Sequence, residues 1–286
     1  MRANRHSLRP TLLTASLVMT LGTALAACSG GSDGGVTAPP PAGTPGGVNT
    51  GGNTGGNTGG ATNPTAGIVT GTVVDTRGQP LAGVKVVATN TMFYNSSAST
   101  LTDAQGRYRI DVSGAIGTWH MTAHLTREFH GQTFDLYLHP NSDAPFAGTD
   151  SAIRNFEWRL TGQRADGLGN YGGNIEFIID PQGWAANASQ TDVELTLTPM
   201  GSLIDGSAGQ TLTLRANQGL FTIRDVSIGQ YAITARYAPT GRAPRPMVLR
   251  WYGEGSYVDT LTPTWPAVGY GGVLGFLDLQ VTAPQE

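Results

Sequence analysis

Apolar and polar positions divide the chain into three stretches. From Thr11 to Ala24 the residues are apolar or small (TLLTASLVMTLGTA). From Ser29 to Thr65 almost every residue is Gly, Pro, Thr, Ala, Asn or Ser. From Gly67 onward, short runs rich in Val, Ile, Thr, Tyr and Phe alternate with polar residues and are broken by Gly, Asp, Asn and Pro. In TWHMTAHL, Trp119, Met121, Ala123 and Leu125 fall on one side, and His120, Thr122 and His124 on the other. TFDLYLH repeats the pattern, with Phe134, Leu136 and Leu138 inward and Asp135, Tyr137 and His139 outward. Successive side chains leave opposite faces of a sheet, so a period of two marks a half-buried strand. No helical period runs through any long window, and turn signals recur about every 8–12 residues, as short sandwich strands require. The patterned part spans about 220 residues, too many for one small sandwich and suited to two. The prediction is an all-β protein with tandem sandwiches over residues 67–161 and 162–286.

The turns between these strands have their own chemistry. Asp75 to Gly78 and Asp103 to Gly106 each place an aspartate where it bonds its own backbone and a glycine where φ is positive. Pro80 stops pairing before Val84 and Val86 point into the core and Lys85 points out. The second half reads as a diverged copy of the first. AQGRYRIDV (104–112) is echoed by NQGLFTIRDV (217–226), GTWHMTA (117–123) by GQYAITA (229–235), GVKVVATN by DVELTLTP (192–199), and NFEWRL by GFLDLQV near the C-terminus. Large apolar residues keep alternate positions within each pair, which predicts that Phe221, Tyr231 and Phe276 are buried. The copy departs where TDAQG becomes RANQG, and it is longer after Tyr237.

GTVVDTRGQPLAGVKVVATN followed by TDAQGRYRI resembles the carboxypeptidase regulatory-like domain, a transthyretin-like sandwich related in architecture to Ig-like folds. The residues that match are Gly71, Val73, Asp75, Gly78, Pro80, Leu81, Gly83, Val84 and Val86, then Thr102, Asp103, Gly106, Tyr108 and Ile110. The resemblance covers roughly residues 67–160. It implies a non-catalytic folding, spacing or binding module of the kind found beside zinc carboxypeptidases and on bacterial surface proteins. No peptidase domain accompanies it in this sequence.

The first stretch reads as an export leader. Arg2, Arg5 and Arg9 precede the apolar run, which is shorter than the roughly 20 residues a spanning helix needs, and small residues follow it. Leu25-Ala26-Ala27-Cys28 resembles the bacterial lipobox, so residues 1–27 are expected to be a lipoprotein signal peptide and Cys28 the acylated residue. One acyl chain holds a protein only marginally, whereas two or more, at about 0.8 kcal/mol per buried CH₂, make a stable anchor in the bilayer. Ser29, rather than aspartate, follows the cysteine; by the same resemblance a diderm host would send the protein to its outer membrane. Residues 28–66, with NTGG three times in succession, read as a lipidated N-terminus and disordered linker, with an r.m.s. span of roughly 35 Å.

Charge and candidate chemistry add less. Without Arg2, Arg5 and Arg9 the 17 basic residues become 14 against 20 acidic ones, a balance that does not suit nucleic acid. A single cysteine leaves no intramolecular disulfide. There is no nucleophile elbow, HExxH or phosphate loop, no cofactor is expected, and the protein is read as a non-enzyme. A hairpin around Glu128 would gather His120, Thr122, His124, Asp135 and Tyr137 on one polar face. His120, His124 and Asp135 are weak candidates for a divalent metal, since outward positions on one strand lie about 7 Å apart. Lys85 points to solvent and is not expected to crosslink. Trp251, Tyr252, Tyr257, Trp265 and Tyr270 lie in a Gly/Pro/Thr-rich segment with no counterpart in the first copy, so they are candidates for stacking on a sugar or peptide. On that reading Trp251 and Trp265 are at least partly exposed; otherwise they close the end of the second sandwich. The function expected is a non-enzymatic, lipid-anchored envelope protein binding a surface polymer (carbohydrate or peptide) or a protein partner. The alternatives are a spacer or assembly module, or an accessory subunit of an envelope hydrolase.

Overall fold

A computed structural model describes residues 65–216, 221–267 and 274–285. Cys28, with the leader and the linker as far as residue 64, lies outside them, as does Tyr270. The described residues form strands and two short 3₁₀ turns, with no α-helix among them. The strands of the first half are β1 (Ile68–Val74), β2 (Lys85–Asn90), β3 (Ser97–Leu101), β4 (Arg107–Asp111), β5 (Thr118–Phe129), β6 (Gln132–Tyr137), β7 (His139–Pro140), β8 (Phe146–Ala147), β9 (Ala152–Ile153) and β10 (Phe156–Glu157). Those of the second are β11 (Gly173–Ile179), β12 (Val193–Leu203), β13 (Leu212–Arg215), β14 (Thr222–Val226), β15 (Gly229–Tyr237), β16 (Arg245–Trp251), β17 (Glu254–Val258) and β18 (Phe276–Thr282).

In the first sandwich one sheet runs β4-β1-β10-β7 and the other β3-β2-β5-β6. β10 lies parallel to β1, and the remaining neighbours along these two paths are antiparallel. The second sandwich has the same plan. β14-β11-β18 matches β4-β1-β10, including the parallel pair β11/β18, and β13-β12-β15 matches β3-β2-β5. The difference is at the corner. In the first copy β6 and β7 are separate strands on either side of Leu138, whereas β16 is continuous and serves both sheets: Arg245 to Met247 pair with β15, and Val248 to Trp251 with β18. A strand that bends across a corner lets two sheets share one side.

The alternation read from sequence fills the core. Trp119, Met121, Ala123 and Leu125 are buried from β5, Phe134 and Leu136 from β6, and Tyr108 and Ile110 from β4. The turns are built as expected. The Asp75 carboxylate accepts the N–H of Arg77 and of Gln79, and the Asp103 carboxylate those of Gln105 and Arg107. Gly106 has φ of 69°, and a Cβ there would meet the Val73 carbonyl at 2.4 Å. The β5/β6 hairpin turns at His130–Gly131 rather than at Glu128, because both residues take positive φ (46° and 76°), the geometry of a two-residue turn that matches strand twist.

Two expected core residues are exposed. Phe221 is 58% accessible and Phe276 40%, while Tyr231 is buried as expected. On β18 the buried set is Leu277, Leu279 and Val281, so the copies align one residue away from the apparent match, and a slip of one turns a side chain to the other face. Phe221 precedes β14, which starts at Thr222, so the alternation of the strand does not fix its side; farther along, past Ile223, β14 carries an extra residue. Gly173 pairs with Val226 and Ile175 with Ile223, so β14 spends three positions where β11 spends two. Asp225 sits in this bulge with φ of 65°.

The second sandwich meets the first at one end, where β1 finishes and the β5/β6 hairpin turns. The Gln132 side chain donates to the Trp265 carbonyl and accepts the Ala267 N–H, both at 2.8 Å, as a strand neighbour would. Thr76 donates to the Asp205 carboxylate at 2.7 Å. The opposite end carries Gly67, where the chain enters β1, with the β2–β3 and β4–β5 connections beside it.

Candidate functional site

The aromatic residues singled out from the sequence are not gathered into one platform. Trp265 is 3% exposed, so the expectation of partial exposure is corrected. Its ring lies over Gly173, where a Cβ would approach it at 2.4 Å, and Ile228 is beside the same glycine. The glycine leaves the slot that the indole fills. Trp251 is half-buried at the end of β16 and packs against the core, opposite Leu279. Leu279 in turn pairs with Phe177, four residues along β11 from Gly173, a separation of about 13 Å. Tyr252 is the most open of the described members, 58% exposed. Tyr257 donates to the Asp180 carboxylate at 2.6 Å, with the Arg250 guanidinium 4.4 Å above its ring. Burial, then the Asp180 hydrogen bond, push the Tyr257 phenol up to about 12. These aromatics serve three separate contacts.

The polar face of β5 and β6 assembles as the alternation predicts. His124 lies opposite Tyr137, their rings 4.2 Å apart, and Asp135 opposite Thr126. Three histidines nevertheless have separate partners. His120 Nε2 lies 2.7 Å from Asp143, His124 Nδ1 3.4 Å from Asp135, and His139 Nδ1 2.9 Å from the Tyr171 hydroxyl. Among the described residues no three His, Cys, Asp or Glu converge as a metal would require. Lys85 is exposed beside His124, as expected. Burial, then the nearby Arg159 charge, hold the His139 imidazole below its ordinary value.

Residues 162–171 cover part of this face. Arg164 is buried, paired with Asp166, and places its guanidinium 4.0 Å from the centre of the Tyr137 ring. The base of the segment is held by Asp225, whose carboxylate accepts the N–H of Gly162 at 2.7 Å and of Gly172 at 3.1 Å. The cavity enclosed beneath, between His120, Tyr137, Arg164 and Tyr171, is only about 30 Å³, room for about one or two waters. An open groove of about 360 Å³ runs along Asp75–Gly78 and Glu157–Thr161 on the sandwich junction. Sequence reasoning missed Gln132, Arg164, Tyr171 and Asp225. Only the additional residue in FTIRDV (221–226), relative to YRIDV (108–112), hinted at the last of these.

No curated protein sequence matches this chain. Solved structures similar to it include the Bacillus anthracis TIE protein (11% identity, TM-score 0.28, 76% of this chain and 34% of that one). A Streptococcal ancillary pilin (12%, 0.24, 79% and 64%) and the C-terminal fragment of the pilus adhesin SpaC from Lactobacillus rhamnosus GG (10%, 0.27, 77% and 98%) are also similar. The chain thus spans about a third of the first structure and less than two thirds of the second. Residues 68–145, from the start of β1 to the residue before β8, match the carboxypeptidase regulatory-like domain.

Proposed function

We propose that this chain is a non-enzymatic protein of the bacterial envelope, exported by its leader, lipid-anchored at Cys28, and spacing its second sandwich away from the membrane to meet a protein partner. The junction is the observation that supports the reading. Gln132, Thr76 and the His139–Tyr171 contact join the second sandwich to the end of the first that lies opposite the entry of the linker. Two sandwiches in series are suited to spacing, and His120 and His124 are each engaged with a carboxylate of their own rather than aimed at a shared point. In a diderm host the outer membrane is the site this reading favours. A second reading, capture of a surface carbohydrate or peptide, draws support from the exposure of Tyr252 and from the open groove at the junction.

Co-purification from detergent-solubilised native membranes tests the first reading, with a glycan array on the same protein for the second. The spacer reading expects a protein recovered in constant ratio to the chain. Glycan binding with no such protein overturns it in favour of polymer capture. Cys28→Ala is expected to move the chain out of the membrane fraction with an unprocessed or misprocessed leader. A Cys28→Ala chain that stays membrane-bound at the wild-type mass removes the lipid anchor from the proposal.

A further inference from the structure

Most exposed large apolar residues of the described chain are scattered, but four protrude from one end of the first sandwich. Met92, Phe93 and Tyr94 are 65%, 52% and 95% exposed on the β2–β3 connection, and Ile116 is 83% exposed on the β4–β5 connection. They are not loose ends. Asn90, itself buried, accepts the N–H of Met92 at 2.9 Å and of Phe93 at 3.1 Å, and donates to the Ile116 carbonyl at 3.0 Å. Thr91 N–H donates to the Thr118 carbonyl, and Asn95 at φ of 55° turns the chain back into β3. One asparagine therefore holds both apolar connections side by side with their side chains in solvent.

The place where the chain enters β1 is at the same end. Gly67 donates to the Asp150 carbonyl and Gly148 to that of Gly117, which follows Ile116. The second sandwich is attached at the other end. The entering stretch, residues 29–64, has no Leu, Ile, Met or aromatic residue, only Val36 and Val48 among larger aliphatics, so it offers little to cover the four side chains itself. No residue of 91–96, 112–118 or 146–149 is charged; the flanking acids are Asp111, with Arg109 beside it, and Asp150, and the Arg154 guanidinium lies 5.3 Å from the centre of the Phe146 ring. Two arginines against two aspartates leave no net basic surface there to seek anionic lipid or nucleic acid.

We propose that Met92, Phe93, Tyr94 and Ile116 form a foot that rests in the interfacial layer of the bilayer, on the same membrane that holds the Cys28 acyl group. This rests on the lipid-anchor reading above. Apolar and aromatic side chains displayed beyond a rigid frame sit about 5–10 Å into the headgroup and acyl boundary, and tyrosine suits that layer with one apolar and one polar end. With no charged residue on the two connections that display the foot, and arginines balanced by aspartates around it, a zwitterionic surface is the one it fits, and contact depends little on salt.

The test uses the full chain, acylated at Cys28 and reconstituted in phosphatidylcholine vesicles. A nitroxide is attached at Tyr94→Cys or, at the far end, at the exposed Gln79→Cys. The label at 94 is expected to be shielded from an aqueous nickel chelate and reached by dissolved oxygen, unchanged by salt, while the label at 79 stays open to water. Equal water exposure of both labels, on a chain whose acyl group is confirmed by mass, overturns the foot and leaves the anchor standing. If the mass shows no acyl group, the anchor reading fails. The Tyr94→Cys label on a Cys28→Ala chain, mixed with excess vesicles, then decides the foot alone, shielding supporting it and exposure overturning it. Shielding in native envelope fragments but not in vesicles identifies a protein occupant and overturns the bilayer.

Discussion

Trp265 shows how one side chain decides between binding and packing. An indole at 3% exposure over a glycine has no face left for a ligand, and its removal leaves a cavity that the rigid sheet cannot collapse into. Trp265→Ala is expected to cost about 3–5 kcal/mol of stability, read from denaturant melts, whereas Tyr252→Ala, at an open position, changes stability little. A Trp265→Ala midpoint equal to that of the wild type would restore the residue as a binding candidate. His139 supplies the pH dependence. Its imidazole is held below the ordinary 6.5 by burial and by Arg159, so the unfolded chain binds the proton more readily. The stability this represents is present above pH 6.5 and is lost as pH falls toward the lowered value. Asp205 acts lower on the scale. Burial raises its carboxyl, but the hydroxyls of Ser207 and Thr76 outweigh that and lower it below 3.8, so its contribution is lost only in acid. Replacing His139 with Gln is expected to flatten the stability profile between pH 5 and 7, and an unchanged slope would assign that region to another group.

At the scale of elements, most of the fold was legible because it depends on alternation and turn chemistry, both local. Trp119 to Leu125 and Phe134 to Leu138 landed on the faces their spacing implied, and Asp75 and Asp103 closed the turns their positions implied. Phe221 and Phe276 did not, because the start of β14 and the one-residue offset of β18 are set by pairing partners distant in sequence. The bulge in β14 makes Asp225 available to two glycine N–H groups that local pattern cannot link to it. Asp225→Ala strands both donors and is expected to lower stability by about 1–3 kcal/mol, measured by denaturant titration. Asp225→Gly would relieve the positive φ yet still lose both hydrogen bonds, so a variant as stable as wild type would show that the carboxylate does not hold the 162–172 segment.

At the scale of the molecule, the junction depends on a short set of directional contacts. Gln132→Ala removes both hydrogen bonds to the 265–267 segment and is expected to raise proteolytic cleavage there, with each sandwich retaining its own protection in hydrogen exchange. Unchanged cleavage would mean that the other junction contacts suffice. The topology also imposes an order of events. The final strand of each sandwich lies between earlier ones rather than at an edge: β10 between β1 and β7, β18 between β11 and β16. A chain that emerges from a ribosome or an export channel N-terminus first can close the first sandwich once Glu157 is free, while β11 still presents an unpaired edge. Such an edge is where strands of similar pattern join the wrong partner, and here the similar pattern is supplied by the chain's own first copy. The early completion of β10 fills the first copy's vacant place before β18 has emerged, so the sequence of delivery itself keeps the two repeats from exchanging their last strands.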